Sequence, residues 1–219
     1  MQNTIKTVLF DFGGVLAAEG FREGLHVIGK RNGLDPDEFF ATVDALIYGT
    51  GYLTGSAGEA AFWNAVRSRT GISEDDASLR EEILRRFVIR PQVLSYADLL
   101  RARKIIVALL SDQTNWLEEI DQRTSLFRHF DRVFNSYRTH KSKRDASVFP
   151  DVCSALGVKR EETLFIDDTI DHISRAQSQG LLTIHYVSID DFDRRLRAFF
   201  PDLRSSCDNK KRERQKEEL

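Results

Sequence analysis

The sequence predicts an α/β protein: a doubly wound, Rossmann-like parallel sheet with an all-helical cap inserted after its first strand. Three observations lead to this reading. Short apolar runs, rich in β-branched residues, recur along the chain, and most end abruptly in polar residues. Segments of helical periodicity separate the later runs, as a parallel sheet with helices on both faces requires. Between the first and second runs, roughly 70 residues carry helical patterns and no convincing strand, a length that suits an insertion.

The first run, Thr7-Val8-Leu9-Phe10, stops at Asp11 and continues as Phe12-Gly13-Gly14-Val15-Leu16. A buried parallel strand that delivers one carboxylate to its C-terminal edge has this form. Open α/β sheets bind ligands at that edge. The glycines allow a tight turn and a close approach of backbone to a ligand. Taken alone, Asp11 reads equally well as a cap for the next turn. Residues 21–28 then predict a short helix. Pro36 opens a second, through Phe39, Phe40, Val43, Leu46 and Ile47. Ser56, three residues before Glu59, predicts a capping box for a third. Ser73 is the expected cap of a fourth, running through Leu79, Ile83, Leu84, Phe87 and Val88. Phe62 and Trp63 suit the core of this segment or a face toward substrate.

The alternation resumes at Arg90. A helix is expected over 91–102, and a strand over 105–110 that ends in Ser111-Asp112-Gln113. A helix through Trp116, Leu117 and Ile120 follows. A short strand over 132–135 leads to the basic stretch His140-Lys141-Ser142-Lys143-Arg144, and a helix with Val148, Phe149, Val152 and Leu156 comes next. The run over 163–166 ends in Asp167-Asp168. A further helix stops at Gly180, and a last strand over 182–187 precedes a helix to about Phe200. The expected division is a core of residues 1–17 and 90–201, a cap of 18–89 and a charged tail of 202–219. In the tail, Lys210, Lys211, Arg212, Arg214 and Lys216 are interrupted by acids, the pattern of a solvated end.

Composition narrows the function. A chain of 219 residues, 41% hydrophobic, can bury a sizeable core. Its formal net charge of −2 gives no general pull toward nucleic acid or an anionic membrane. Cys153 and Cys207 have neither metal-ligand spacing nor a disulfide framework, which fits a reducing, cytoplasmic setting. No leader pattern and no apolar run of bilayer length is visible. The expected partner is a small molecule, without nucleic acid or membrane; monomer and homodimer both stay open.

Four strand ends or loops carry polar chemistry: Asp11, Ser111, the loop with Lys143, and Asp167-Asp168. All are expected at one sheet edge. Three carboxylates brought together there repel one another unless a cation sits among them. Hard oxygen ligands with positions left for water and phosphate suit Mg²⁺. A lysine and a hydroxyl supply donors to phosphate oxygens. A carboxylate can also attack phosphorus and form an aspartyl-phosphate, with Lys143 stabilising the transferring group. For Ser111 the plainer role is capping the next helix. Lys141 lies close enough to Lys143 to compete for its role. Asp171 fits either a supporting position behind the site or a helix cap.

These motifs resemble the haloacid dehalogenase (HAD) superfamily, in its branch with a helical cap inserted after the first motif. The resemblance covers about residues 5 to 200 and rests on four motifs. Val8-Leu9-Phe10-Asp11-Phe12-Gly13-Gly14-Val15-Leu16 is similar to the first, and Leu110-Ser111-Asp112 to the second. Lys143-Arg144-Asp145 with Val148-Phe149 is similar to the third. Leu164-Phe165-Ile166-Asp167-Asp168 with Ala176 and Gly180 is similar to the fourth. The resemblance implies an Mg²⁺-dependent phosphatase of small phosphorylated metabolites, sugar phosphates among them. It implies Asp11, Ser111 and Lys143 as catalytic groups, with Ser111, Asp112 and Lys143 against substrate. The metal would take Asp11, the Gly13 carbonyl and the pair Asp167 and Asp168.

Three positions depart from the family pattern. Gly13 stands where its phosphatases usually carry a second Asp as general acid and base, a group typically worth roughly 10²–10⁴-fold in rate. Asp112 stands where Asn is common, and Arg144 where Pro usually follows the lysine and stiffens the loop. The departures motivate an alternative, a weak or silent member that binds a phosphometabolite or a protein partner. A further alternative is a metal-free haloacid dehalogenase, which the Asp167-Asp168 pair speaks against.

Overall fold

The computed structural model describes residues 5–203 of the chain. Strand β1 (Thr7–Phe10) is buried at every position, because both faces of the sheet are covered. It pairs in parallel with β2 (Ile106–Ser111) on one side and β4 (Thr163–Asp167) on the other. The edge strands β3 (Arg132–Asn135) and β5 (Leu182–His185) complete a five-stranded parallel sheet in the order β3-β2-β1-β4-β5. The chain reverses its direction of winding between β1 and β4. The crevice at such a reversal is where open α/β sheets hold ligands, and it falls beside Asp11 and Asp167.

Successive strand residues point to opposite faces, and two apolar clusters follow from that alternation. Leu9, Ala108, Leu110 and Phe165 pack on one face against α8 (Val148–Leu156) and α9 (Ile170–Ser178). Val8, Phe10, Val107, Leu109 and Ile166 pack on the other against α5 (Pro91–Ala102), α6 (Trp116–Thr124) and α10 (Ile189–Phe199). Helices on both faces make the sheet doubly wound, as the alternating pattern predicts.

Between β1 and α5 lie α1 (Gly20–Arg31), α2 (Pro36–Gly49), α3 (Glu59–Thr70) and α4 (Asp76–Leu84), with no strand among them. The chain leaves and re-enters the sheet region side by side: Ala17 bridges Ile89, and the Arg90 N–H donates to the Leu16 carbonyl. The apolar core continues without a break into this helical insertion. One link between them is aromatic. Tyr52 stacks on Phe62, and Trp63 stacks on Trp116 of α6 with ring centroids 5.9 Å apart. All four rings are fully buried, so Phe62 and Trp63 belong to the core.

Three local expectations differ from the structure. Gly58, not Ser56, precedes α3, and Glu59 instead accepts from Trp63 Nε1 at 3.1 Å and pairs with Arg80. Asp75, not Ser73, caps α4 by accepting from the Ser78 N–H. That helix ends at Leu84, because Phe87 turns inward to meet Phe12 and Gly20. A short helix, α7 (Ser136–Thr139), follows β3. Among the described residues no helix is long and apolar enough to cross a membrane. The expected charged tail lies outside the described residues from position 204 onward.

Candidate active site

The four polar strand ends meet at the C-terminal edge of the sheet. Asp11 follows β1, Ser111 closes β2, and Asp167 closes β4 with Asp168 next to it. Lys143 reaches them from the loop after α7 and is 1% exposed. Its Nζ lies 2.7 Å from Asp11 Oδ1 and 2.7 Å from Asp167 Oδ2. Lys141 points elsewhere, to Ser147 and Asp151, so the geometry separates the two lysines.

Carboxylate oxygens of Asp11, Asp167 and Asp168 lie within 4.8 Å of one another. They are the only such cluster of metal-ligating types among the described residues. Asp167 is fully engaged: it accepts from Lys143 Nζ and, at 2.7 Å, from the Thr169 N–H, and His172 Nδ1 lies 3.2 Å away. Asp168 is less committed, with a 3.4 Å contact from Thr169 Oγ1. Its carboxylate lies over Gly14, where φ is +77° and a Cβ would sit 1.9 Å from Asp168 Oδ2. Only glycine lets backbone and carboxylate approach this closely. Arg90 clamps the same turn by donating to the Gly14 and Val15 carbonyls.

Charge and burial are in tension here. Burial pushes the Asp11 carboxyl well above the usual carboxylate range, with Lys143 opposing and the other aspartates reinforcing. Burial alone would lower Lys143; Asp11, Asp167 and Asp112 outweigh it and hold the ammonium charged. Asp167 resists its burial through Lys143 and His172 and stays below the ordinary carboxylate value. Asp168 is raised by burial and by Asp167. Ionised together, the three carboxyls outnumber the one ammonium, so their full ionisation calls for a further cation among them.

A pocket of about 300 Å³ opens over this cluster. Asp11, Gly13, Ser111, Asp112, Lys143 and Asp168 line one wall. Ser111 Oγ is buried without a hydrogen-bond partner among the described residues, and α6 begins only at Trp116, so Ser111 is no helix cap. Both Asp112 oxygens accept from the Lys143 N–H, at 2.9 and 3.1 Å, which fixes the lysine's backbone. The opposite wall comes from the insertion: Glu19, Arg22, Phe40, Tyr48 and Leu53. Glu19 and His172 escape the sequence reading. A Cβ at Gly13 would sit 3.5 Å from Glu19 Oε2, so a carboxyl does border that position. Burial, with Asp168 nearby, raises Glu19 to about 7. Asp171, by contrast, is exposed and pairs with Arg175.

A sequence profile of haloacid dehalogenase-like hydrolases matches residues 5–180, and the chain belongs to that family of hydrolases. Nothing among curated proteins matches it. Several solved structures do. An HAD family enzyme from Bacteroides thetaiotaomicron superposes with a TM-score of 0.73 at 24% identity, over 88% of this chain and 98% of that one. A predicted HAD-like family hydrolase from Porphyromonas gingivalis gives 0.71 at 24% identity, over 89% and 98%. An L-2-haloacid dehalogenase from Xanthobacter autotrophicus gives 0.61 at 17% identity, over 89% and 83%. At these identities the likeness is one of fold.

Proposed function

We propose that the chain is a cytoplasmic, Mg²⁺-dependent phosphatase of small phosphorylated metabolites, with Asp11 as nucleophile and residues 18–89 as a cap. The observation that carries this reading is the grouping of three carboxylates around one lysine, facing an unpartnered serine hydroxyl in a single pocket. The donor set is hard oxygen with excess negative charge, which fits Mg²⁺. Asp11, Asp168 and the Gly13 carbonyl would hold the ion, while Asp167 holds Lys143 and His172 and joins them in the metal shell. When bound, the cation offsets the carboxylates and withdraws charge from phosphoryl oxygens. The B. thetaiotaomicron enzyme has been crystallised with magnesium and inorganic phosphate, which supports the same ligands here.

In the first step an Asp11 oxygen attacks phosphorus, the bond from phosphorus to the substrate oxygen breaks, and the departing oxygen takes a proton from water in the pocket to leave as the alcohol. Lys143 and Ser111 donate hydrogen bonds to the phosphoryl oxygens and stabilise the charge gathered there. Asp112 acts by holding the Lys143 backbone. Water then attacks the aspartyl-phosphate, releasing inorganic phosphate and restoring the Asp11 carboxylate. The cap supplies the far wall and excludes bulk water.

Phosphate release from a panel of small phosphoesters, with Mg²⁺ and with chelator, tests the reading. Asp11→Asn is expected to abolish a chelator-sensitive activity, and unchanged turnover would sink the assignment. The absence of an acid side chain at Gly13 favours a second reading, metal-dependent phosphometabolite binding without turnover. Mg²⁺-dependent phosphate binding with no catalysis on any substrate would select it.

A further inference from the structure

We propose that Arg144 is a positioning residue that ties the loop bearing Lys143 to the helical insertion, so that the lysine is correctly placed only when the insertion is seated over the pocket. The inference rests on the phosphatase reading of Lys143. The Arg144 guanidinium carbon lies 3.3 Å from the centroid of the Tyr48 ring, and Arg144 Nη2 lies 3.1 Å from Asp44 Oδ2. Tyr48 and Asp44 both come from α2, and both line the pocket. Arg144 immediately follows Lys143, so the loop is gripped on two sides. Asp112 holds the lysine's N–H from the sheet, and α2 holds the next side chain from the insertion.

The same segment meets the insertion again upstream. Ser136 Oγ donates to the Leu53 carbonyl at 3.1 Å, and His140 Nδ1 lies 2.7 Å from the Thr54 carbonyl. Gly55 sits so close that a Cβ would lie 2.4 Å from the Tyr137 carbonyl. Residues 136–144 therefore run along the rim of the insertion. Without proline at 144 the loop has no built-in restraint on φ there, and external contacts must supply it. Arginine suits the task because its planar group can stack and pair at once; lysine can only pair.

The test compares R144A, Y48A, the double variant and R144K with wild type, using D11N as control. Hydrolysis of p-nitrophenyl phosphate with Mg²⁺, binding of inorganic phosphate, and thermal midpoints are measured together. R144A and Y48A are each expected to lower kcat by about fivefold to thirtyfold, the range for one exposed ion pair and one stacked guanidinium. In R144A and R144K KM should change by less than about twofold, because the lysine acts on the transition state; Y48A, which also removes part of the pocket wall, is read by kcat alone. The double variant should be no worse than the worse single one, and R144K should fall between. Multiplicative losses, or lowered midpoints with unchanged kcat, overturn the proposal. If wild type shows no Asp11-dependent turnover, the phosphatase reading fails separately. Phosphate affinity then decides, because without turnover the lysine's hydrogen bond to phosphate is made in the bound ground state: a non-additive loss across the same variants supports the strut, and an additive or absent loss overturns it.

Discussion

Ser111 keeps a hydroxyl that is 1% exposed and unpartnered among the described residues. Such a group costs a fold about 1–3 kcal/mol. Its place at the end of β2, facing the pocket, suits a partner that arrives with the substrate. Ser111→Ala is therefore expected to leave the metal-free protein as stable as wild type, or more so by up to about that amount, in urea unfolding. The same change should lower kcat/KM for a phosphoester by about 10–100-fold, the worth of one hydrogen bond to a charged group. A loss of stability instead would make the hydroxyl structural. At this scale much of the grouping that forms the candidate site was legible. Asp11, Ser111, Asp167 and Asp168 stand where apolar runs stop, and Lys143 stands in a basic loop between two elements. Glu19, Arg90 and His172 were not legible, because each reaches the site from outside a strand end. His172 shows why: Asp171 beside it is the more suggestive residue, and only the phase of α9 turns the histidine inward and the aspartate out.

Among the elements, the pairing of α1 with α4 sets the far wall of the pocket, since Glu19 and Arg22 sit at the start of α1. The two helices touch at Gly24, where a Cβ would meet the Ile83 Cα at 2.7 Å. Gly24→Ala gains about 1 kcal/mol in helix propensity. The neighbour is backbone and cannot rotate away, however, and overpacking of this kind costs about 1–3 kcal/mol. A net loss of about 1–2 kcal/mol is expected from the urea midpoint, together with a raised KM as the wall shifts. A stabilised Gly24→Ala variant would show that α1 can slide freely on α4. Element types were legible except at α7, too short to show a period, because strands and helices carry different apolar periods. Helix starts were less so. Ser56 and Gly58 before α3, and Ser73 and Asp75 before α4, offer rival caps within three residues of each other. Tertiary partners decide between them: Glu59 is drawn to Trp63 and Arg80, away from the serine.

For the molecule as a whole, the candidate cation site would couple binding to folding. Its carboxylates come from β1 and β4, strands that meet only in the folded sheet. A ligand that binds the folded state alone adds about 2.7 kcal/mol at a hundredfold excess over its Kd. For a chain of this size that is a rise of about 5–10 °C in thermal midpoint. Mg²⁺ is expected to produce this rise in wild type and little of it in Asp168→Asn. An unchanged wild-type midpoint across a broad Mg²⁺ titration would argue against the site. The parallel sheet was legible as a pattern of runs, whereas the strand order that puts the reversal between β1 and β4 was not. The continuity of the core into the insertion was not, since nothing in the period of an apolar residue says which neighbour will cover it.

That continuity has an optical consequence. The chain has two tryptophans, and Trp63 of the insertion is stacked on Trp116 of the sheet-packed helix α6. Both indoles are fully buried at the same seam. Tryptophan emission from this protein therefore originates where the helical insertion meets α6. A tilt of the insertion would alter the overlap of the rings and their shielding from water, changing brightness and colour without any attached dye. The molecule carries its own gauge of how firmly the insertion is seated.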